Sequence, residues 1–258
     1  PAPLAMQLPP TLDRWRPWAT LYTGDRPDVA VVLVHQLGSQ RVEWSPLIAR
    51  LQAGTAVTTL ALDLRGHGDS VRGPRDEAVT WESFGTDPTR WMETAYDVIA
   101  AVQYLRAQGA NRVVVVGSSI GATAAVLAAT GTLPPGAAPM PVDAVVDGLA
   151  LLSPGAAYHG VDIREPMQAY LALHRPLLMF AGELDGVSAE AVSQLAPVQG
   201  AGITRAVFGG ARQHGVALCN ADPTRWQQLD AWVRQTLGLT PTQAPRPTNP
   251  TPAAPPGG

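Results

Sequence analysis

The sequence predicts an α/β fold: a doubly wound, mostly parallel sheet flanked by helices, with a minimal cap. Three observations predict it. Val29 to Val34 and Val113 to Val116 are unbroken, mostly β-branched apolar runs, the pattern of strands buried on both faces. After the first run, Trp44, Leu47, Ile48 and Leu51 recur at i, i+3, i+4 and i+7, which makes one apolar face of a helix. Another apolar run, Val57 to Leu64, follows, and strand, helix, strand at this spacing is the crossover unit of a parallel sheet.

The remaining elements follow in order. Residues 1–27, rich in Pro and carrying Trp15, Trp18 and Tyr22, read as an irregular segment of the same domain with one or two antiparallel edge strands, since prolines keep a strand off the sheet centre. The main domain is expected over 28–238. Residues 71–86 read as an excursion bearing Trp81 and Phe84, after which Asp87-Pro88 caps and opens one long helix. Its Trp91, Ala95, Val98, Val102 and Leu105 share a face, and Gly109 suits its end. Strands are expected at Val113 to Val116, Val145 to Leu152, Leu177 to Ala181 and Thr204 to Phe208. The connection 153–176 has room for one helix, around Pro166 to Leu173, and is too short for a large lid. A helix around Ser188 to Leu195 precedes the last strand. Asp222-Pro223 opens a final helix bearing Trp226, Leu229, Val233 and Leu237, which Gly238 ends. Residues 239–258, mostly Thr, Pro, Ala and Gly, carry too few apolar side chains to repay their ordering entropy and are expected to be disordered.

Composition narrows the partners. The chain has 258 residues, 46% of them hydrophobic, and a net charge of -3, which suits one α/β domain with a small-molecule substrate and gives no basis for nucleic-acid binding. All 18 basic residues are Arg, so no phosphate-loop lysine exists, and no dinucleotide glycine pattern is present; no cofactor is expected. The single Cys219 excludes an internal disulfide and a multi-cysteine metal site, and no His pair has helical ligand spacing, so no metal is expected. No run reaches the roughly 18 apolar residues of a membrane span. Two locations stay open, cytoplasmic or exported with the signal segment absent from this chain; a monomer is the expected state.

The chemistry centres on Val113-Val-Val-Val-Gly-Ser-Ser-Ile-Gly-Ala122, a buried strand running into a helix through G-x-S-x-G. A serine on a sharp, strained turn needs neighbours without bulk two positions away. Gly117 and Gly121 bracket Ser119 and not Ser118, so Ser119 is the candidate nucleophile. A serine hydroxyl needs a histidine to take its proton and a carboxylate to orient that histidine. Among five histidines, His35 and His67 sit in Gly-containing loops after early strands and His159 and His174 in the connection before Leu177. His214 follows the last strand, in a loop at the sheet edge where the elbow must lie. The acid then comes from the loop after Leu177 to Ala181, which offers Glu183 and Asp185; Asp185, beside Gly186, is preferred. Two backbone donors for an oxyanion are expected at Leu37 and Ile120.

These motifs, with the His35 loop and Asp63-Leu-Arg-Gly-His-Gly-Asp-Ser70, resemble the α/β-hydrolase superfamily over about residues 28–237, and the short connection resembles its compact, lidless dienelactone-hydrolase-like and bacterial esterase branches. The resemblance implies a Ser119, Asp185, His214 triad with Leu37 and Ile120 as oxyanion donors. One departure is His35-Gln36 where the family usually has His-Gly, and Gln36, Ser118 and Tyr158 are candidate pocket residues. The activity implied is hydrolysis of carboxylic esters through an acyl-enzyme. Two alternatives stand beside it: the same triad acting on amide, thioester, lactone or polyester bonds or as an acyltransferase, and a non-catalytic binding module on the same fold.

Overall fold

A computed structural model describes residues 2–196, 200 and 202–239. Its strands are β1 (Leu4–Gln7), β2 (Trp18–Tyr22), β3 (Arg26–Val34), β4 (Val57–Leu62), β5 (Arg112–Ser118), β6 (Gly148–Leu152), β7 (Ala157–Tyr158), β8 (Val161–Asp162), β9 (Leu177–Gly182) and β10 (Ile203–Phe208). Eight of them form one sheet in the order β1-β2-β4-β3-β5-β6-β9-β10. From β4 to β10 neighbours are parallel, while β1 and β2 pair antiparallel at one edge, where the Pro- and Trp-rich segment was expected to lie.

The helices are α1 (Ser45–Leu51), α2 (Pro88–Met92), α3 (Thr94–Ala107), α4 (Ile120–Thr130), α5 (Arg164–Ala172), α6 (Gly186–Leu195), α7 (Val216–Asn220) and α8 (Pro223–Thr236). They cover both sheet faces, and the alternation of side chains along a strand decides which face each residue serves. Ala30, Val32 and Val34 pack with α3, α4, α5 and α6, whereas Val29, Val31 and Leu33 pack with α1, α7 and α8. Val113 and Val115 against Val114 and Val116 repeat the division on β5. A Val or Leu fully buried in this way contributes roughly 1.5–3 kcal/mol, and that two-sided burial is why these runs carry no polar residue.

Two expected elements differ. The helix opening at Asp87-Pro88 is divided at Glu93, next to which Thr94 Oγ1 donates to Trp91 O at 2.6 Å. Asp87 does cap its start, accepting from Thr89 N. The strand expected from Val145 begins at Gly148 instead. Before it, Arg106 donates to Val145 O and Arg175 to Val146 O, both at 2.8 Å, so side chains rather than a neighbouring strand satisfy that backbone. The short α7 and the β7–β8 hairpin had no counterpart in the sequence reading. The tail expected to be disordered lies, apart from Leu239, outside the described residues.

The N-terminal segment is tied to the sheet through charge. Arg65, buried, pairs with Asp97 at 2.8 Å and with Asp13 at 2.6 Å, and lies over the Trp15 ring at 5.1 Å. Opposing charge holds the guanidinium pKa above its ordinary value despite burial.

Candidate active site

Parallel register brings the strand ends level. Val34 pairs with Gly117, Gly117 with Leu151, Leu152 with Phe180 and Gly182 with Phe208, so the loops leaving β3, β5, β6, β9 and β10 emerge along one edge. They supply Leu37, Ser119, Gly155, Asp185 and His214, in that order, to the lining of one cavity of about 310 Å³.

Ser119 sits between β5 and α4 with φ 53° and ψ -115°, a backbone conformation that costs a non-glycine residue about 1–3 kcal/mol. The two glycines are required by contact. A Cβ on Gly117 would meet Ala122 N at 2.7 Å, and one on Gly121 would meet His35 O at 2.6 Å, so α4 reaches β3 and β5 only where side chains are missing. Ser119 N donates to Leu152 O at 2.9 Å, anchoring the turn to the neighbouring strand. Ser119 Oγ makes no hydrogen bond to another described residue.

The two carboxylates after β9 separate cleanly. Asp185 Oδ2 accepts from His214 Nδ1 at 2.7 Å, while Glu183 Oε2 accepts from Gly210 N at 2.8 Å and supports the loop after β10. His214 Nδ1 must be the protonated nitrogen, since the carboxylate only accepts, which leaves Nε2 as the basic one. Ser188, from α6, places its Oγ 3.5 Å from the same Nδ1 and also lines the cavity.

His35 holds the loop after β3. Gln36 O can only accept and Leu64 N can only donate, so the contacts at 2.7 Å and 3.0 Å fix the tautomer: Nδ1 carries the proton and Nε2 accepts. Burial, and next the neighbouring His67, push the His35 pKa down to about 3, so the ring stays neutral. Gln36 O and Leu37 N belong to one peptide unit, and fixing the oxygen therefore fixes the direction of the Leu37 N–H. On the other side of Gln36, its N–H donates to Glu43 Oε1 at 2.9 Å. Burial pushes the Glu43 carboxyl up to about 6, against hydrogen bonds from Ser39 and Gln36 N that act to lower it. His67 stacks on Trp81 at 5.9 Å and His159 on Trp91 at 5.5 Å.

The three candidate pocket residues part company. Tyr158 lines the cavity; Gln36 and Ser118 are not among its lining, and instead approach each other at 3.3 Å beside Gly215. Gly215 has φ 58°, and a Cβ there would meet Ser118 Oγ at 2.5 Å. Sequence reasoning did not single out Ser153, Thr123, Gly155, Ala157, Val187 or Ser188. Ser153 Oγ accepts from Gly215 N at 2.8 Å, immediately after His214; the others line the cavity.

Cys219 is buried in α7, where burial pushes its thiol up to about 12, consistent with a packing residue. Among the described residues no group of three His, Cys, Asp or Glu side chains is placed to hold a metal ion, and no helix is long and apolar enough to cross a membrane.

Solved structures share the fold at low sequence identity. An esterase from Pyrococcus furiosus is similar with a TM-score of 0.65 and 15% identity, covering 92% of this chain and 92% of its own. The dienelactone hydrolase from Anabaena variabilis has a TM-score of 0.60 and 17% identity over 92% of this chain and 99% of its own. An esterase from Exiguobacterium antarcticum has a TM-score of 0.59 and 13% identity over 90% and 100%. No curated protein matches the sequence. Residues 31–256 match the family described as the alpha/beta hydrolase family, and with this eight-stranded sheet and its elbow the chain belongs to that family.

Proposed function

We propose that this alpha/beta hydrolase is a serine esterase that cleaves carboxylic esters through an acyl-enzyme. The observation that carries the proposal is the Asp185–His214 pair at 2.7 Å opening onto the same cavity as the strained Ser119. In this reading His214 Nε2 takes the Ser119 proton as Oγ adds to the ester carbonyl carbon. Asp185 holds the ring in the tautomer that leaves Nε2 basic and stabilises the imidazolium that forms. The N–H groups of Leu37 and Ile120 receive the oxyanion, each such donor being worth about 3 kcal/mol in the transition state. Collapse expels the alcohol, which takes the proton from His214. Water, deprotonated by the same imidazole, then releases the carboxylic acid and restores the serine.

The fixed orientation of the Leu37 peptide supports this assignment, as does the placement of Ile120 at the first position of α4, where a helix N–H has no intrahelical acceptor. Labelling with a fluorophosphonate probe, alongside turnover of p-nitrophenyl butyrate, tests the proposal. Wild type should react with both and Ser119→Ala with neither. Labelling at another residue, or turnover by Ser119→Ala, would overturn it.

A further inference from the structure

Resting on that esterase reading, we infer that the acyl group taken by this site is short, apolar and uncharged, and that the Tyr158 ring sets its length limit. The cavity's volume of about 310 Å³ stands at the lower end of the range for ligand sites, roughly 300–1,000 Å³. Its walls are Leu37, Ile120, Ala157, Val187 and the Tyr158 ring, with Thr123, Ser188 and the Tyr158 hydroxyl as the polar groups beyond the candidate triad. None of the 18 arginines stands among its described lining, so a carboxylate or phosphate on the acyl chain would enter without a counter-charge. Burying such an unpaired charge is strongly unfavourable. The acyl group occupies the site in both half-reactions, joined to Ser119 in the first and released by water in the second, whereas the alcohol departs in the first, so the cavity's shape selects on the acyl part.

The wall bearing Tyr158 is built to stay in place. β7 and β8 pair Tyr158 with Val161 and are joined by a two-residue turn, His159-Gly160, with φ 43° and 80°, the handedness that suits a tight hairpin. Ile163 N donates to Ala156 O at 2.9 Å and closes the hairpin's base. Its tip is clamped on α2: the Trp91 ring meets Tyr158 edge-on at 5.1 Å and stacks with His159 at 5.5 Å. Trp91 is in turn fixed by its Nε1–H on Gly85 O at 2.9 Å and by Phe84 at 5.2 Å. A longer acyl chain therefore meets a ring held from behind.

The test is a series of p-nitrophenyl acetate, butyrate, octanoate and decanoate, with the hemisuccinate and its methyl ester as a charged and neutral pair. Wild type should favour acetate and butyrate over decanoate by at least about tenfold in kcat/KM, the least that a single misfit methylene makes in an apolar pocket. Tyr158→Ala should raise the decanoate-to-butyrate ratio by at least about tenfold. The hemisuccinate should react about 100-fold more slowly than its methyl ester. Ala157→Phe, at an exposed position of the same strand, should shorten the limit, which keeps the inference testable if Tyr158→Ala does not fold. A flat chain-length profile overturns the inference. So does an unchanged ratio in either folded variant, or equal use of the hemisuccinate and its methyl ester. Absence of all ester turnover together with absence of fluorophosphonate labelling would instead refute the esterase reading, and this inference with it.

Discussion

Glu43 offers a test of the site's electrostatics that needs no substrate. Its carboxylate is mostly buried beside the loop after β3, where it accepts from Gln36 N at 2.9 Å, and burial raises its pKa from 4.5 to about 6. The sign is unusual for an acid. Below about pH 4.5 both folded and unfolded chains carry the proton and the group costs nothing. Between about 4.5 and 6 the folded chain holds the proton that the unfolded chain has lost, so stability falls as pH rises. Above 6 both are ionised and the full penalty is present, about 1.5 units at 1.36 kcal/mol each, or about 2 kcal/mol. Glu43→Gln removes the charge and keeps an oxygen for Gln36 N, and should therefore be more stable than wild type at pH 8 by up to about 2 kcal/mol. For a chain of this size that raises the melting temperature by about 4–8 °C. At pH 4 the difference should vanish. Glu43→Ala forgoes the gain, because it leaves the Gln36 N–H without its acceptor at a cost of about 1–3 kcal/mol. Thermal melts of the three proteins at both pH values decide the matter: a gain for Glu43→Gln that is equal at pH 4 and 8, or a loss at pH 8, would refute the reasoning.

Three further outcomes are expected. Asp185→Asn should lower kcat for p-nitrophenyl butyrate by up to about 10⁴-fold with near-wild-type stability, whereas Glu183→Gln, which touches Gly210 and not His214, should lose much less. Gly121→Ala forces a methyl against the Val34 and His35 carbonyls and should cost about 1–3 kcal/mol in chemical denaturation, with slower fluorophosphonate labelling as Ser119 is displaced. Ser153→Ala removes the acceptor of Gly215 N and should destabilise by about 1–3 kcal/mol, with a fall in kcat larger than any change in KM.

What the sequence made legible is what depends on local pattern. Buried runs at Val29 to Val34 and Val113 to Val116 have no reading but central strands, and Gly117 and Gly121 mark a close approach that the contacts of their absent Cβ atoms explain. The division of the helix at Glu93 was hidden because Glu93 and Thr94 are both acceptable inside a helix and no Gly or Pro marks the break. Gln36 was expected to face the pocket from its place in the motif, yet its direction depends on Ser118 and Gly215, which are far from it in sequence. The β7–β8 hairpin was hidden for a different, local reason. Its two-residue strands have no periodicity to detect, and its turn uses His159 where Gly, Asn or Asp would have signalled the geometry.

The end of β6 shows how a position that lacks the expected chemistry still organises the site. In the sequence, β6 runs into Ser153-Pro154, with no carboxylate directly after the strand. In the fold, Leu152 O accepts from Ser119 N, Ser153 N donates to Phe180 O at 2.7 Å, and Ser153 Oγ accepts from Gly215 N. The turn of the candidate nucleophile and the loop of the candidate base are thereby fastened to two consecutive residues, which are themselves tied to β9. Ser119 and Ser153 both have positive φ, 53° and 46°, conformations that neither would hold in isolation. Each is held by a hydrogen bond to another element: the elbow cannot relax without giving up Leu152 O, and Ser153 cannot relax without releasing Gly215 and with it the backbone next to His214. A carboxylate at 153 would bury a negative charge, since the position is fully buried. A hydroxyl supplies the acceptor without the charge, which is why a serine fits there once the acid is carried by the loop after β9.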